Sequence, residues 1–197
     1  MKLLTIFTIL LLLTACSTKG DLKIINQTNH NIYFTIKGMD ETLQGNQSLT
    51  LSLDTGKDYS IFYRPEKEYK LKIKGETFSL YDENIPVDET TITLTSQKTR
   101  KLYLHPTNAG IKVNNNNLLN SLYNVGYQKV YPDTMTEKTI LTNEILPQTT
   151  WFSILPYFSQ QDSFAFKFSY ETYTGTTVYS DTTTLHLDEQ FIIDYAN

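Results

Sequence analysis

The sequence predicts an all-β chain folded as an antiparallel β-sandwich, and three observations carry that prediction. Apolar and polar residues alternate with period two from Leu22 to the end of the chain, the pattern of strands with one wet and one buried face. The alternating runs are short and bounded by clusters of Asn, Asp, Gly and Thr, residues that favour turns. No strand is followed by a helical stretch long enough for a parallel crossover, so consecutive strands are expected to pair antiparallel.

Taken in order, NIYFTIK turns Ile32, Phe34 and Ile36 to one side. SLTLSL does the same with Leu49, Leu51 and Leu53 against Ser48, Thr50 and Ser52, the clearest alternation in the chain. ETFSLY offers Phe78 and Leu80, TTITLT offers Ile92 and Leu94, and KLYLH offers Leu102 and Leu104. A break is expected over residues 105–117, where HPTNAG is followed by four consecutive asparagines, Asn114 to Asn117, a composition suited to loops. Beyond it the alternation resumes in SLYNVGYQKVY, TEKTILTNEIL, TTWFSIL, DSFAFKFSYETY, TTVYSDTTTLHL and QFIIDY. Leu118, Leu119 and Leu122 have the spacing of a single helical turn, but a stretch this short makes no stable helix.

The break divides the chain into two halves of about seven strands each, so the expected organisation is two Ig-like or sandwich domains in tandem, residues 22–106 and 107–197. The halves share a plan. INQTNHNIYFTIKG followed by SLTLSL lies over NNLLNSLYNVGYQKV followed by QTTWFSIL, which suggests a repeated unit.

The first sixteen residues are of another kind. Lys2 supplies a positive charge, Leu3 to Leu13 an apolar run of eleven residues, and Thr14 and Ala15 small side chains ahead of Cys16. This is the build of a secretory signal peptide over residues 1–15, and the apolar run reaches only about half of a ~30 Å hydrocarbon core. Cys16 is the sole cysteine, and Leu13-Thr14-Ala15-Cys16 resembles the lipobox of bacterial lipoproteins. The resemblance implies that the Cys16 sulfur receives a diacylglycerol, that residues 1–15 are removed, and that the new amino terminus is acylated in Gram-negative bacteria. Each buried methylene then contributes about 0.8 kcal/mol, and two or more chains hold a protein on a bilayer. Ser17 in place of Asp after the cysteine resembles the pattern of export to the outer membrane. Residues 16–21 are expected to form a lipidated polar tether. The expected location is therefore the cell outer membrane, lipid-anchored, on either its periplasmic or its outer side.

Composition narrows the function. The formal net charge is −4 and no basic face is evident, which argues against nucleic acid. With Cys16 acylated no thiol remains for a disulfide, so stability rests on packed apolar surface. Fourteen tyrosines, ten phenylalanines and one tryptophan supply it.

Candidate sites were weighed against plain structural roles. Phe164, Phe166, Phe168 and Tyr170 share one face of a strand and are read as core, since four exposed rings in line would invite association. Aromatics in loops make better ligand contacts, because tyrosine gives wide contact at small entropic cost: Tyr63 before Arg64, Tyr131 before Pro132, and Tyr157 with Phe158 after Pro156; the plainer reading is that they cover the ends of the sandwich. Lys70, Lys72 and Lys74 lie on one face of EKEYKLKIKGE and read as the guard of an edge strand, with contact to anionic headgroups the alternative. Asp82, Glu83, Asp88 and Glu89 share a loop but lack the order of a calcium site. His30, His105 and His186 are far apart, with no zinc motif. No nucleophile elbow or triad motif is present, so neither catalytic residues, nor a metal, nor a cofactor is predicted.

The expected function is a non-enzymatic envelope lipoprotein acting as a binding or assembly module at the outer membrane. Its partners are the membrane through Cys16 and an envelope protein or a glycan. Three alternatives stand beside it: a surface glycan-binding lipoprotein of a polysaccharide-uptake system; an accessory of a secretion or pilus apparatus, which resembles the small sandwich lipoproteins of type VI secretion in size, anchor and fold; and a hydrolase whose catalytic residues are dispersed along the chain.

Overall fold

The computed structural model describes residues 17–57, 64–156 and 163–196. Cys16, Tyr63, Tyr157 and Phe158 lie outside the described residues. All regular structure among those described is β-strand, and it forms sandwich sheets whose pairings are antiparallel, as the alternation predicts, except for one parallel pair in each unit.

The described residues divide into two compact units. The first holds residues up to Gln27 together with Ile32–Lys74 and Leu80–Leu104; the second holds Thr28–Asn31, Gly75–Ser79 and His105 onward. The second unit is therefore assembled from three stretches of chain, two of which lie within the range 22–106.

In the first unit the strands are β1 (Ser17–Asn26), β2 (Ile32–Ile36), β3 (Met39–Leu43), β4 (Ser48–Lys57), β5 (Glu66–Gly75), β6 (Leu80–Asp82), β7 (Ile85–Val87), β8 (Glu89–Thr95) and β9 (Thr99–Leu104). They make a three-stranded sheet in the order β4-β1-β9 and a four-stranded sheet in the order β3-β2-β5-β8, with β6 and β7 as a separate hairpin. Residues 17–21, expected as a polar tether, are the first half of β1, where Ser17 is opposite Lys57 and Asp21 opposite Ser52. Alternation selects the buried faces: Leu22, Ile24, Leu53 and Leu104 from one sheet, and Ile32, Phe34, Ile36, Leu71, Ile73, Ile92 and Leu94 from the other. Two-residue turns close the tight hairpins. Lys37-Gly38 joins β2 to β3 and Glu83-Asn84 joins β6 to β7, all four residues with positive φ, as such turns require to match the twist of the strands.

The second unit contains β10 (Gly110–Asn115), β11 (Leu122–Val130), β12 (Thr139–Ile145), β13 (Thr149–Ile154), β14 (Phe164–Glu171), β15 (Thr177–Tyr179), β16 (Thr183–Leu185) and β17 (Gln190–Tyr195). Its sheets run β13-β10-β17 and β12-β11-β14-β15, with β16 also on β14. This is the strand order of the first unit repeated. In each, the first strand lies between an antiparallel partner and a parallel one, and the parallel pairing spans six residues: Asp21 to Asn26 against Thr99 to Leu104, and Gly110 to Asn115 against Gln190 to Tyr195. β2 and β11, and β4 and β13, hold the same places, as the sequence overlay indicated. The order differs from that of an immunoglobulin constant domain, whose sheets are ABED and CFG.

The aromatic stripe is core. Phe166 and Phe168 are fully buried, and Phe164 and Tyr170 pack against the same cluster. Phe168 stacks on Phe191 of the facing sheet at 4.3 Å between centroids and 9° between ring planes, slightly closer than the ~4.5–7 Å common for aromatic pairs.

The expected break over 105–117 is corrected by β10, which begins at Gly110 and runs through Asn114 and Asn115. Asparagine is tolerated there because its amide does the work of a backbone partner. Buried Asn115 donates through Nδ2 to the carbonyls of Asn120, Ile145 and Leu146 at 3.0 to 3.1 Å. Asn26 closes β1 in the same way, donating to the carbonyls of Leu43 and Gln44. Such bonds satisfy main-chain acceptors at the strand ends that no strand reaches.

Candidate functional site

An open groove of about 380 Å³ lies on the solvent side of the four-stranded sheet in the first unit. Strand pairing builds its floor. Tyr33 of β2 is opposite Thr42 of β3, and Thr35 is opposite Asp40, so these four side chains share the outward face. Lys72 of β5 and Asp88, which precedes β8, complete the polar lining. The Thr35 hydroxyl donates to Asp40 Oδ1 at 2.5 Å. One tyrosine is thus surrounded by hydroxyl, carboxylate and ammonium groups. The groove's volume lies within the ~300–1,000 Å³ of small-molecule sites, and its chemistry suits a hydroxyl-rich ligand more than an anion, since the carboxylates of Asp40, Glu41 and Asp88 line it together with Lys72 and Lys74.

The lysine row takes a different role from the one expected. β5 lies between β2 and β8, so it is an interior strand with no open edge to guard. Lys70, Lys72 and Lys74 stand on its solvent face because Leu71 and Ile73 are buried. Lys70 reaches Glu89 of the adjacent strand at 3.0 Å, a cross-strand pair.

The second unit holds a buried ionic cluster. Glu76 is 2% exposed, and its Oε1 accepts from Lys112 Nζ at 3.0 Å. The other oxygen accepts from Gln190 Nε2 at 3.2 Å and lies 4.0 Å from His30 Nδ1. The His30 ring bonds through Nε2 to the Asp188 carbonyl at 2.9 Å. The Asp188 carboxylate accepts from the Thr77 hydroxyl at 2.6 Å and from the Asn29 amide at 2.8 Å. Both oxygens of Glu76 are engaged by donors, which compensates the buried charge. No sequence motif flags the cluster: its members come from four stretches of chain, and Glu76 reads in sequence as the start of an ordinary strand.

Of the aromatic candidates, Tyr131 is described. It is 46% exposed in the turn after β11, and its amide donates to the Thr134 carbonyl at 2.8 Å. It is not among the residues lining the groove. The acidic loop forms the β6–β7 hairpin and its surroundings, and no group of three or more metal-ligating side chains is gathered among the described residues. Two hydroxyls have shifted acidity. Burial raises Tyr127 above 10.0, partly offset by a hydrogen bond with Thr139, and burial with the charge of Tyr195 raises Tyr170.

Fold and site together define a β-sandwich protein of two topologically repeated units with a polar groove on one sheet. No family model and no curated protein matches the chain. Among solved structures it is similar to the Bacillus anthracis TIE protein, at 13% identity and a TM-score of 0.29, covering 91% of this chain and 34% of that one. It is also similar to a candidate cell adhesion protein from Bacteroides ovatus, at 11% identity and a TM-score of 0.33, covering 92% and 93% of the two chains. The chain spans about a third of the length of the TIE protein.

Proposed function

We propose that this chain is a lipid-anchored, non-enzymatic protein of the bacterial cell envelope, acting as a binding or assembly module at the outer membrane. The observation that supports the reading is the position of Cys16: it ends the lipobox-like stretch and immediately precedes Ser17, the first residue of β1. A lipid on that sulfur would hold the first sandwich within a residue of the membrane surface. Tethering raises the local concentration of any membrane partner without a new contact.

The groove around Tyr33 favours glycan as the ligand over an assembly partner, because a tyrosine ring flanked by hydroxyl and carboxylate groups offers both stacking and hydrogen bonds to a sugar. Intact mass of the native protein tests the anchor: the expected species starts at Cys16 and carries acyl mass. A polypeptide retaining Met1, or one that stays in the aqueous phase on detergent partition, refutes it. Binding to a polysaccharide panel, with Tyr33→Ala as the control, separates glycan capture from an assembly role.

A further inference from the structure

The three connecting segments at one end of the second unit carry no charge and several apolar side chains, with Glu144 and Glu171 on the strands behind them. The β10–β11 loop, residues 116–121, reads NNLLNS; the β12–β13 turn, residues 146–148, reads LPQ; the β14–β15 turn, residues 172–176, reads TYTGT. Pairing of Leu122 with Ile145 and of Tyr123 with Glu171 brings all three to the same end. None contains a charged residue, in a chain that is 19% charged. Leu118, Leu119 and Leu146 are 71%, 83% and 57% exposed, and Tyr173 is 60% exposed. The opposite end, by contrast, carries Asp133, Glu137 and Lys138 in its β11–β12 turn. The turn of the first unit that corresponds to residues 146–148, residues 44–47, reads QGNQ and holds no apolar side chain.

The loops are also tied to themselves. Asn117 Oδ1 accepts from the amides of Leu119 and Asn120 at 2.9 Å, and Gln148 Nε2 donates to the carbonyls of Asn116 and Asn117 at 2.7 and 3.2 Å. Asn115 holds the carbonyls of Asn120 and Leu146, and the Thr149 hydroxyl donates to the Leu146 carbonyl at 2.6 Å. Thr172 and Thr176 close the third turn at 2.9 Å. Main-chain groups bonded within the protein are what a segment needs to leave water for lipid.

We infer that this end docks on a lipid bilayer, with Leu118, Leu119 and Leu146 entering the boundary between headgroups and acyl chains and Tyr173 at headgroup level. A protein partner fits less well: three leucines and a tyrosine expose a few hundred Å², whereas a stable protein interface buries roughly 1,200–2,000 Å². The absence of charge from the three segments suits zwitterionic lipid, with the carboxylates of Glu144 and Glu171 kept on the strands behind them, and tyrosine is favoured at the interface. The inference goes beyond the anchor, since it requires no acyl group on Cys16.

The test uses the full-length chain with phosphatidylcholine vesicles containing brominated acyl chains. In Leu119→Trp the new indole is expected to shift to the blue and be quenched, against the wild-type signal of Trp151 as background. Tyr131→Trp, at the charged end, is expected to show neither change. Adding Leu118→Ser and Leu146→Ser should weaken the quenching partition at least about tenfold. Quenching in Leu119→Trp no greater than in Tyr131→Trp overturns the inference, as does leucine-dependent self-association in lipid-free buffer, which would assign the end to a second copy. Failure of the anchor reads differently: the native mass lacks acyl chains, while the Leu119→Trp response persists in Cys16→Ser.

Discussion

Removing one partner of the Glu76–Lys112 pair should destabilise the second unit far more than removing both. Glu76 is 2% exposed and Lys112 23%, with 3.0 Å between their charged atoms. Breaking a buried pair costs about 3–5 kcal/mol, because the remaining charge is left without compensation. Glu76→Ala should fall near the low end, about 3 kcal/mol, since the partly exposed Lys112 ammonium can turn toward water. Lys112→Met should cost more, about 4 kcal/mol, because the buried Glu76 carboxylate cannot reach solvent and loses its ammonium partner. Glu76→Leu with Lys112→Met removes both charges and should recover most of the loss, giving a coupling of about 2 kcal/mol or more. Trp151 is the only tryptophan and packs against the core of the second unit, so its fluorescence during urea unfolding reports the relevant transition. With a slope of about 2 kcal/mol per molar urea, 3 kcal/mol moves the midpoint by about 1.5 M. Single substitutions costing under about 1 kcal/mol each would place the pair with exposed surface ion pairs and refute the reasoning.

Residues 105–197 expressed alone lack Thr28–Asn31 and Gly75–Ser79, which belong to the second unit. That fragment should show a red-shifted Trp151 emission and poor amide dispersion, whereas the full chain should not. Gly110→Ala should cost about 1–3 kcal/mol, because its new Cβ would collide with the Glu76 carbonyl oxygen; a variant with an unchanged urea midpoint would contradict the close approach. Because burial weakens Tyr127 and Tyr170 as acids, raising the pKa of each in the folded chain, the unfolded chain ionises first as pH climbs through about 10. Stability should be level below that pH and fall above it, and Tyr127→Phe should flatten the fall in a pH series of urea midpoints.

What could be read from sequence followed the period of the side chains. SLTLSL and SFAFKFSYETY declare their buried faces because one side of each strand meets a core and the other meets water, and no long-range knowledge is needed to see it. The same local rule misplaced the asparagine run. Asn114 and Asn115 look like a loop because asparagine bonds readily to nearby backbone, yet at the end of β10 that very capacity lets Asn115 serve three carbonyls of neighbouring loops. The lysine row failed for a related reason: a row of charges on one face is compatible with any strand wet on one side, and only the strand order distinguishes an interior position from an edge.

The groove and the buried cluster were beyond sequence because each joins residues that only pairing brings together. Tyr33 becomes a site residue through its opposition to Thr42, and Glu76 through Lys112 and Gln190, 36 and 114 positions away. Repetition of one strand order in both units sharpens what is particular to each. The shared features, such as the amide-capped ends of β1 and β10 and the six-residue parallel pairing, answer to the needs of the fold. Those that differ are free of that requirement: the groove on the first unit's sheet, the ionic cluster of the second, and the leucines of 116–121 against the polar turn at 44–47. Exposed leucines favour association, so the three exposed among the described residues, Leu118, Leu119 and Leu146, all at one end, call for a contact that covers them.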